Sequence, residues 1–156
     1  MSCVYEEIVH GEALMRSRPD ERHERICQRL HDQVGAVVAR LTSTRLLPAR
    51  SVVRIAPGSL LRPDLALVTA ATGKLWLAAE IINSHDHRPD TVTKKSAYEE
   101  SNLPRLWVID PRYDNVEVYH GSPYGLLLKG ILANDELFQE PLLPGFQTTI
   151  KQLFQV

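Results

Sequence analysis

Apolar side chains recur at helical spacing through residues 20–41, at Ile26, Leu30, Val34, Val37, Val38 and Leu41, and the rhythm then stops. This predicts a long amphipathic helix. Ahead of it, residues 5–10 read as a short strand ending in a turn at Gly11. Ser17 and Asp20, three apart with Pro19 between them, resemble a capping box with proline in the first turn. Beyond Leu41 the chain reads as loop, then a strand over 52–55 and a turn at Pro57 and Gly58. Strands over 65–69 and 75–82 follow, joined around Thr72, Gly73 and Lys74. Three successive strands with tight connections predict an antiparallel meander.

Within 75–82, alternation sets Leu75, Leu77, Ala79 and Ile81 on one face and Trp76, Ala78, Glu80 and Ile82 on the other. Both faces are largely apolar, which marks a central strand covered on both sides. Helical spacing returns over 90–102, with Asp90 or Thr91 as N-cap. A short apolar run over 106–109 follows directly, as a parallel strand reached through a crossover helix would. The stretch then alternates over 116–120, turns at 121–123, runs on over 124–132, and closes with a loop at Pro144, Gly145 and Phe146. Thr148 or Thr149 caps a last short helix. The order is that of an α/β chain with a mixed sheet: helix, three-strand meander, helix, strand, and an added C-terminal β-meander.

Composition narrows the class of protein. A chain of 156 residues is long enough for one domain with a real core, so 1–156 reads as a single unit. Cys3 and Cys27 form no metal-ligand spacing and are too few for a disulfide scaffold, and no signal peptide or membrane span is legible, which points to the cytoplasm. The formal charge of −1 does not announce a nucleic-acid binder. Positive charge nevertheless gathers in residues 1–78, where 11 Lys or Arg face 8 Asp or Glu. Arg22, Arg25 and Arg29 stripe one flank of the first helix, as a solvated face or as phosphate contacts.

The candidate chemistry lies between positions 62 and 94. Asp64 precedes one strand, Glu80 lies inside the next, and Lys94 opens a helical stretch; this order can hold a divalent cation and activate water beside a phosphate. Glu80 is the anomaly, because an unpaired buried carboxylate costs several kcal/mol unless a cation or strong donors compensate it. The competing reading sets it at the strand's end, in solvent or paired with an arginine. Lys94 shares a face with Ala97 and Tyr98, whereas Lys95 has Glu99 at i+4, so Lys94 is the lysine that would serve a site. Both lysines fall in a predicted first helical turn, where the dipole disfavours cations and something negative would have to offset it. His23 is a surface or interface histidine, or an accessory to the site. His85, Asp86 and His87 read as a polar loop, since adjacent residues rarely converge on one ion.

With these residues placed, the chain resembles the restriction-endonuclease-like superfamily, whose metal-dependent nucleases carry a PD…(D/E)xK signature. Within it, the chain is similar to the Uma-type family. The likeness rests on EEIVHGE at 6–12, Pro19 with His23, RPDLALV at 62–68, AAEII at 78–82, DTVTKKSAY at 90–98, LWVIDP at 106–111, VEVY at 116–119 and LPGF at 143–146. It implies that Asp64 and Glu80 ligate Mg²⁺ or Mn²⁺ with the backbone carbonyl of Ile81 as a further ligand, and that Lys94 is the catalytic lysine. The superfamily lysine stands two residues after the acid, where this chain has Ile82; the Uma-type pattern supplies it from the following helix, which Lys94 matches. Asn83 and Ser84 stand where many members have Ser-Pro. The implied activity is phosphodiester hydrolysis in nucleic acid, DNA first, by a homodimer. The alternative is a catalytically inactive dimeric nucleic-acid-binding or scaffolding protein that keeps the fold. Tyr98 reads as packing.

Overall fold

The computed structural model describes residues 5–156, so Cys3 lies outside the described residues. Its centre is a six-stranded mixed sheet in the order β10-β9-β8-β7-β6-β3. The strands are β3 (Thr44–Leu46), β6 (Leu65–Thr69), β7 (Leu75–Ile81), β8 (Arg105–Asp110), β9 (Asn115–Ser122) and β10 (Gly125–Ala133). β7 and β8 pair in parallel, with a crossover between them, and the other neighbours are antiparallel. The crossover carries a single π-helical turn, Pro89–Thr93, running into α2 (Lys94–Glu100). The parallel strand and the C-terminal meander are where the hydrophobic pattern puts them.

Two apolar layers sandwich this sheet. Helix α1 (Glu21–Val38) buries Ile26, Leu30 and Val34 against Leu65, Leu67, Leu77, Ala79 and Ile81 on one face, where α3 (Ile150–Phe154) also packs. Phe138 of β11 (Leu137–Gln139) and Phe146, just before β12 (Gln147–Thr149), close that layer around Trp107, with ring centroids 4.6 and 5.3 Å from the indole. On the opposite face, Ala78 and Ile82 meet Ala97 and Tyr98 of α2 and a second, four-stranded sheet in the order β2-β1-β5-β4. That sheet comprises β1 (Tyr5–Val9), β2 (Glu12–Arg16), β4 (Val53–Ala56) and β5 (Ser59–Leu61). Alternation in β7 therefore sends Glu80 toward α2 and the small sheet.

Several local expectations are corrected. The strand expected over 52–55 does not join the central meander; as β4 it forms a hairpin with β5, turning at Gly58 with φ +82°, a conformation glycine adopts freely. The edge partner of β6 is β3, in a stretch expected to be loop, because three residues are too few for alternation to register. In β7 a bulge at Trp76 leaves Leu67 opposite Leu77 and Val68 opposite Leu75. The shift turns Trp76 to the α1 face and Leu75 to the other, reversing the expected pair. The N-cap of α1 is Asp20, which accepts from the His23 backbone N–H at 2.8 Å, so Pro19 precedes the cap and the expected Ser17 capping box is not formed. Neither Asp90 nor Thr91 caps the second helix. Thr149 does cap α3, in a capping box with Gln152.

Candidate active site

Four carboxylates, Glu7, Asp64, Glu80 and Asp90, are buried together with Arg16, His23 and Lys94, and each reaches the cluster from a different element. In β1, Glu7 is in phase with Val9, so the strand turns both toward the central sheet. In α2, Lys94 and Tyr98 are one turn apart and both face Glu80. The Lys94 ammonium lies 2.7 Å from Glu7 Oε2 and 2.7 Å from the Glu80 carboxylate. Tyr98 donates its hydroxyl to Glu80 Oε2 at 2.6 Å. Tyr98 is therefore more than packing, and Glu80 is neither free nor in solvent. Lys95 instead rests 4.4 Å from the centroid of the Tyr119 ring, and Glu99 accepts from the Leu126 N–H.

The offset expected for a lysine near a helix start comes from Glu7 and Glu80, and the preceding π-turn moves Lys94 away from the first free N–H groups. Burial pushes the Glu80 carboxyl up to about 8; Glu7 and Asp64 add to the rise, and Lys94 opposes it. Lys94 is held charged, above its ordinary range, because Glu80 and Glu7 outweigh the cost of its burial.

Asp64 is held as tightly by a different set of groups. Its Oδ1 accepts from Arg50 at 3.0 Å and its Oδ2 from the Ile81 N–H at 2.8 Å, while His23 Nε2 lies 3.5 Å from Oδ2. Helix α1 also grips the Asp64 backbone carbonyl through His31 Nε2 at 2.7 Å. Although burial works the other way, His23, Lys94 and the Ile81 N–H bring the Asp64 carboxyl down to about 2.

His23 has only acceptors around it. Nε2 points at the Ile81 carbonyl at 2.9 Å and Nδ1 at Glu24 Oε1 at 3.2 Å, so both ring nitrogens carry protons and the ring is an imidazolium. Against the cost of burial, Asp64 raises it to about 9. In this state His23 has no lone pair for a metal; it is a cation seated between the Asp64 carboxylate and the Ile81 carbonyl.

Glu7, Arg16, Arg50 and Asp90 join the site without having stood out in the sequence as site residues. Arg16 bridges Glu7 and Asp90 at 2.9 Å each, and Asp90 also accepts from the Asn83 N–H, which ties the post-β7 loop to the π-turn. Arg50, at φ +58°, reaches both Asp64 and Glu24 from the β3–β4 connection and is the most open cation of the site. Glu7 left a faint signal, a carboxylate in register with inward-facing Val9; Arg50 left none. In the arginine stripe, Arg22 ties α1 to Asp114 and the Pro111 carbonyl and Arg29 to the Gln152 carbonyl, whereas Arg25 pairs with Glu21 of the same helix on its solvated face. His85 and His87 are exposed in their loop.

A hard divalent cation suits the donors present. Asp64, Glu80 and the Ile81 carbonyl offer oxygen only, and the burial and neighbouring carboxylates that lift Glu80 are what added positive charge would offset. Among the described residues, no three His, Cys, Asp or Glu side chains form a cage by themselves. Mg²⁺ needs none, since it binds through one or two carboxylates and keeps several waters.

Residues 4–151 match the Uma2 family, described as "Putative restriction endonuclease". The chain belongs to that family. No curated protein matches the sequence. Among solved structures, the Uma2 chain is similar to "a putative nuclease belonging to DUF820" from Anabaena variabilis, with a TM-score of 0.81 at 16% identity over 96% of this chain and 89% of that one. At that identity the likeness establishes the mixed α/β fold, with the central sheet and few helices described above.

Proposed function

We propose that this Uma2 protein is a metal-dependent nuclease that hydrolyses phosphodiester bonds, DNA foremost, with residues 1–156 acting as one restriction-endonuclease-like nuclease domain. The observation that carries the reading is a charged lysine buried against a strand carboxylate, at the place in the fold where Asp64 is also held. A fold does not need such a group: a buried ion pair adds little net stability, and isosteric apolar residues often do as well.

Asp64, Glu80 and the Ile81 carbonyl would hold Mg²⁺ or Mn²⁺, which would supply Lewis-acid polarisation of the scissile phosphate and make water easier to deprotonate. Lys94, fixed by Glu7 and Glu80, is a preorganised cationic donor that orients the attacking water or stabilises the charge growing on the phosphoryl oxygens. Tyr98 fixes the second face of the Glu80 carboxylate. The His23 imidazolium holds the Ile81 carbonyl and balances Asp64 until the site is loaded. Arg50, the most open of these groups, stands where an entering phosphate would meet it.

Cutting both strands favours a two-fold homodimer, and the free thiol of Cys27 suits a reducing cytoplasm. No helix among the described residues is long and apolar enough to cross a membrane. The second reading, an inactive nucleic-acid-binding or scaffolding dimer, draws on the oxygens of Asp64 and Glu80 all being engaged by protein donors. Incubation with Mg²⁺ or Mn²⁺ and labelled DNA and RNA, beside Glu80→Ala and Lys94→Ala, separates the two. Cleavage by wild type that both variants lose supports the nuclease; nucleic-acid binding without cleavage in either metal supports the scaffold.

A further inference from the structure

About half of the cations in this chain are tied down; Arg18, Arg40, Arg88, Lys129 and Lys151 are exposed and unpaired among the described residues but lie outside the cleft formed by Arg45, Arg54 and Lys74. Arg16, Arg22, Arg25, Arg50, Arg105 and Arg112 bridge carboxylates, and Arg29 and Arg62 donate to backbone carbonyls. Arg45 of β3, Arg54 of β4 and Lys74 of the β6–β7 turn make no side-chain hydrogen bond or ion pair among the described residues, and all three are exposed. They converge on one cleft of about 380 Å³ between β3, β4 and the C-terminal end of α2. Among the described residues, no carboxylate lines it. The two acids of the last turn of α2 are turned elsewhere, Glu99 to the Leu126 N–H and Glu100 to His10. The floor is apolar, formed in part by Val53, Val68 and Leu75.

The cleft adjoins the candidate active site through two elements. Val68 in its floor is four residues along β6 from Asp64, roughly 13 Å at the rise of a strand. The β3–β4 connection carries Arg50 onto Asp64 and, two residues later, Val52 into the cleft wall. A strand of nucleic acid covers that separation in about four nucleotides, at 3.4 Å each. A cationic rim around an apolar floor complements a chain of phosphates carrying flat, weakly polar bases.

We propose that this cleft is a second contact site for the substrate's phosphate backbone, about four nucleotides from the scissile bond, with Arg45, Arg54 and Lys74 as its phosphate contacts. The proposal rests on nucleic acid being the substrate of the Asp64, Glu80 and Lys94 site.

The test is fluorescence anisotropy with labelled oligonucleotides in EDTA, across a salt series. It compares wild type, Arg45→Gln/Arg54→Gln/Lys74→Gln and the charge-preserving Arg45→Lys/Arg54→Lys. All three substituted positions are exposed, and matched melting temperatures check that the variants fold. Each lost phosphate contact removes about 0.7–0.9 from the slope of log affinity against log salt, so the triple variant should lose about 2–3 in slope and bind at least tenfold more weakly at low salt. The lysine variant should bind like wild type. A wild type that binds and cuts, beside a triple variant of unchanged slope, overturns the cleft and leaves the nuclease reading standing. A wild type that neither binds nor cuts nucleic acid overturns both.

Discussion

Lys94 is the only cation within 4.0 Å of the Glu80 carboxyl among the described residues, and it shares Glu7 with Arg16, so its removal takes the cation from Glu80 and leaves Glu7 with Arg16 alone. Lys94→Met should destabilise the fold by about 3–5 kcal/mol, the cost of breaking a buried pair from one side. Adding Glu7→Gln should recover part of that loss, because a buried carboxylate that has lost one of its two cations is then gone while Arg16 keeps Asp90; urea unfolding of the single and double variants measures both. The shifted groups also make stability depend on pH. The His23 pKa rises from 6.5 to about 9 on folding, so its contribution is full below pH 6.5 and is lost as pH rises through 9. For Glu80, raised from 4.5 to about 8, stability is likewise present at low pH and lost as pH rises through 8. Asp64, lowered to about 2, acts oppositely and matters only in strong acid. Melting temperature in EDTA should therefore fall steadily from pH 6.5 to 9. His23→Gln should flatten the limb above pH 8, where Glu80 is already ionised; an unchanged limb would mean that His23 is neutral in the folded protein.

The elements most legible in the sequence are those whose periodicity runs longest. Helix α1 spans five turns and declares its buried face, and β7 declares a covered central strand with one carboxylate in it. Short or irregular pieces were not legible. Strand β3 has three residues, the bulge at Trp76 breaks alternation at one position, and a π-turn has no periodic signature that seven-residue α2 could reveal. The site divides along the same line. Asp64, Glu80 and Lys94 lie beside strong periodic signals, whereas Glu7, Arg16, Arg50 and Asp90 reach the cluster from neighbours that only tertiary folding supplies. Packing at this scale yields its own test. Trp107 is fully buried between Phe138 and Phe146, and its indole N–H has no partner among the described residues. Trp107→Ala should cost about 3–5 kcal/mol. Trp107→Phe should cost less than half as much, since it keeps most of the ring contact and removes an unsatisfied buried donor; denaturant midpoints at constant slope read both.

Taken as a whole, the molecule builds its candidate site where the large sheet, the small sheet, α1 and the crossover meet. Asp64 enters from one strand end and Glu80 from its neighbour, Lys94 and Tyr98 come from the crossover helix, and Glu7 and Arg16 come from the small sheet. Because the cluster draws on so many elements, its geometry depends on the complete fold, and its charges leave the site closed by its own donors. To act as a nuclease, this closed cluster must open to metal and substrate and turn over. The most direct test is the rate at which purified protein nicks supercoiled plasmid in Mn²⁺, measured for wild type and Glu80→Gln at a pH where both are folded. Metal-dependent nicking is expected of wild type, abolished by EDTA and at least about a hundredfold slower in Glu80→Gln, the scale of losing one preorganised transition-state interaction. Nicking at equal rates by both proteins would contradict this role of Glu80.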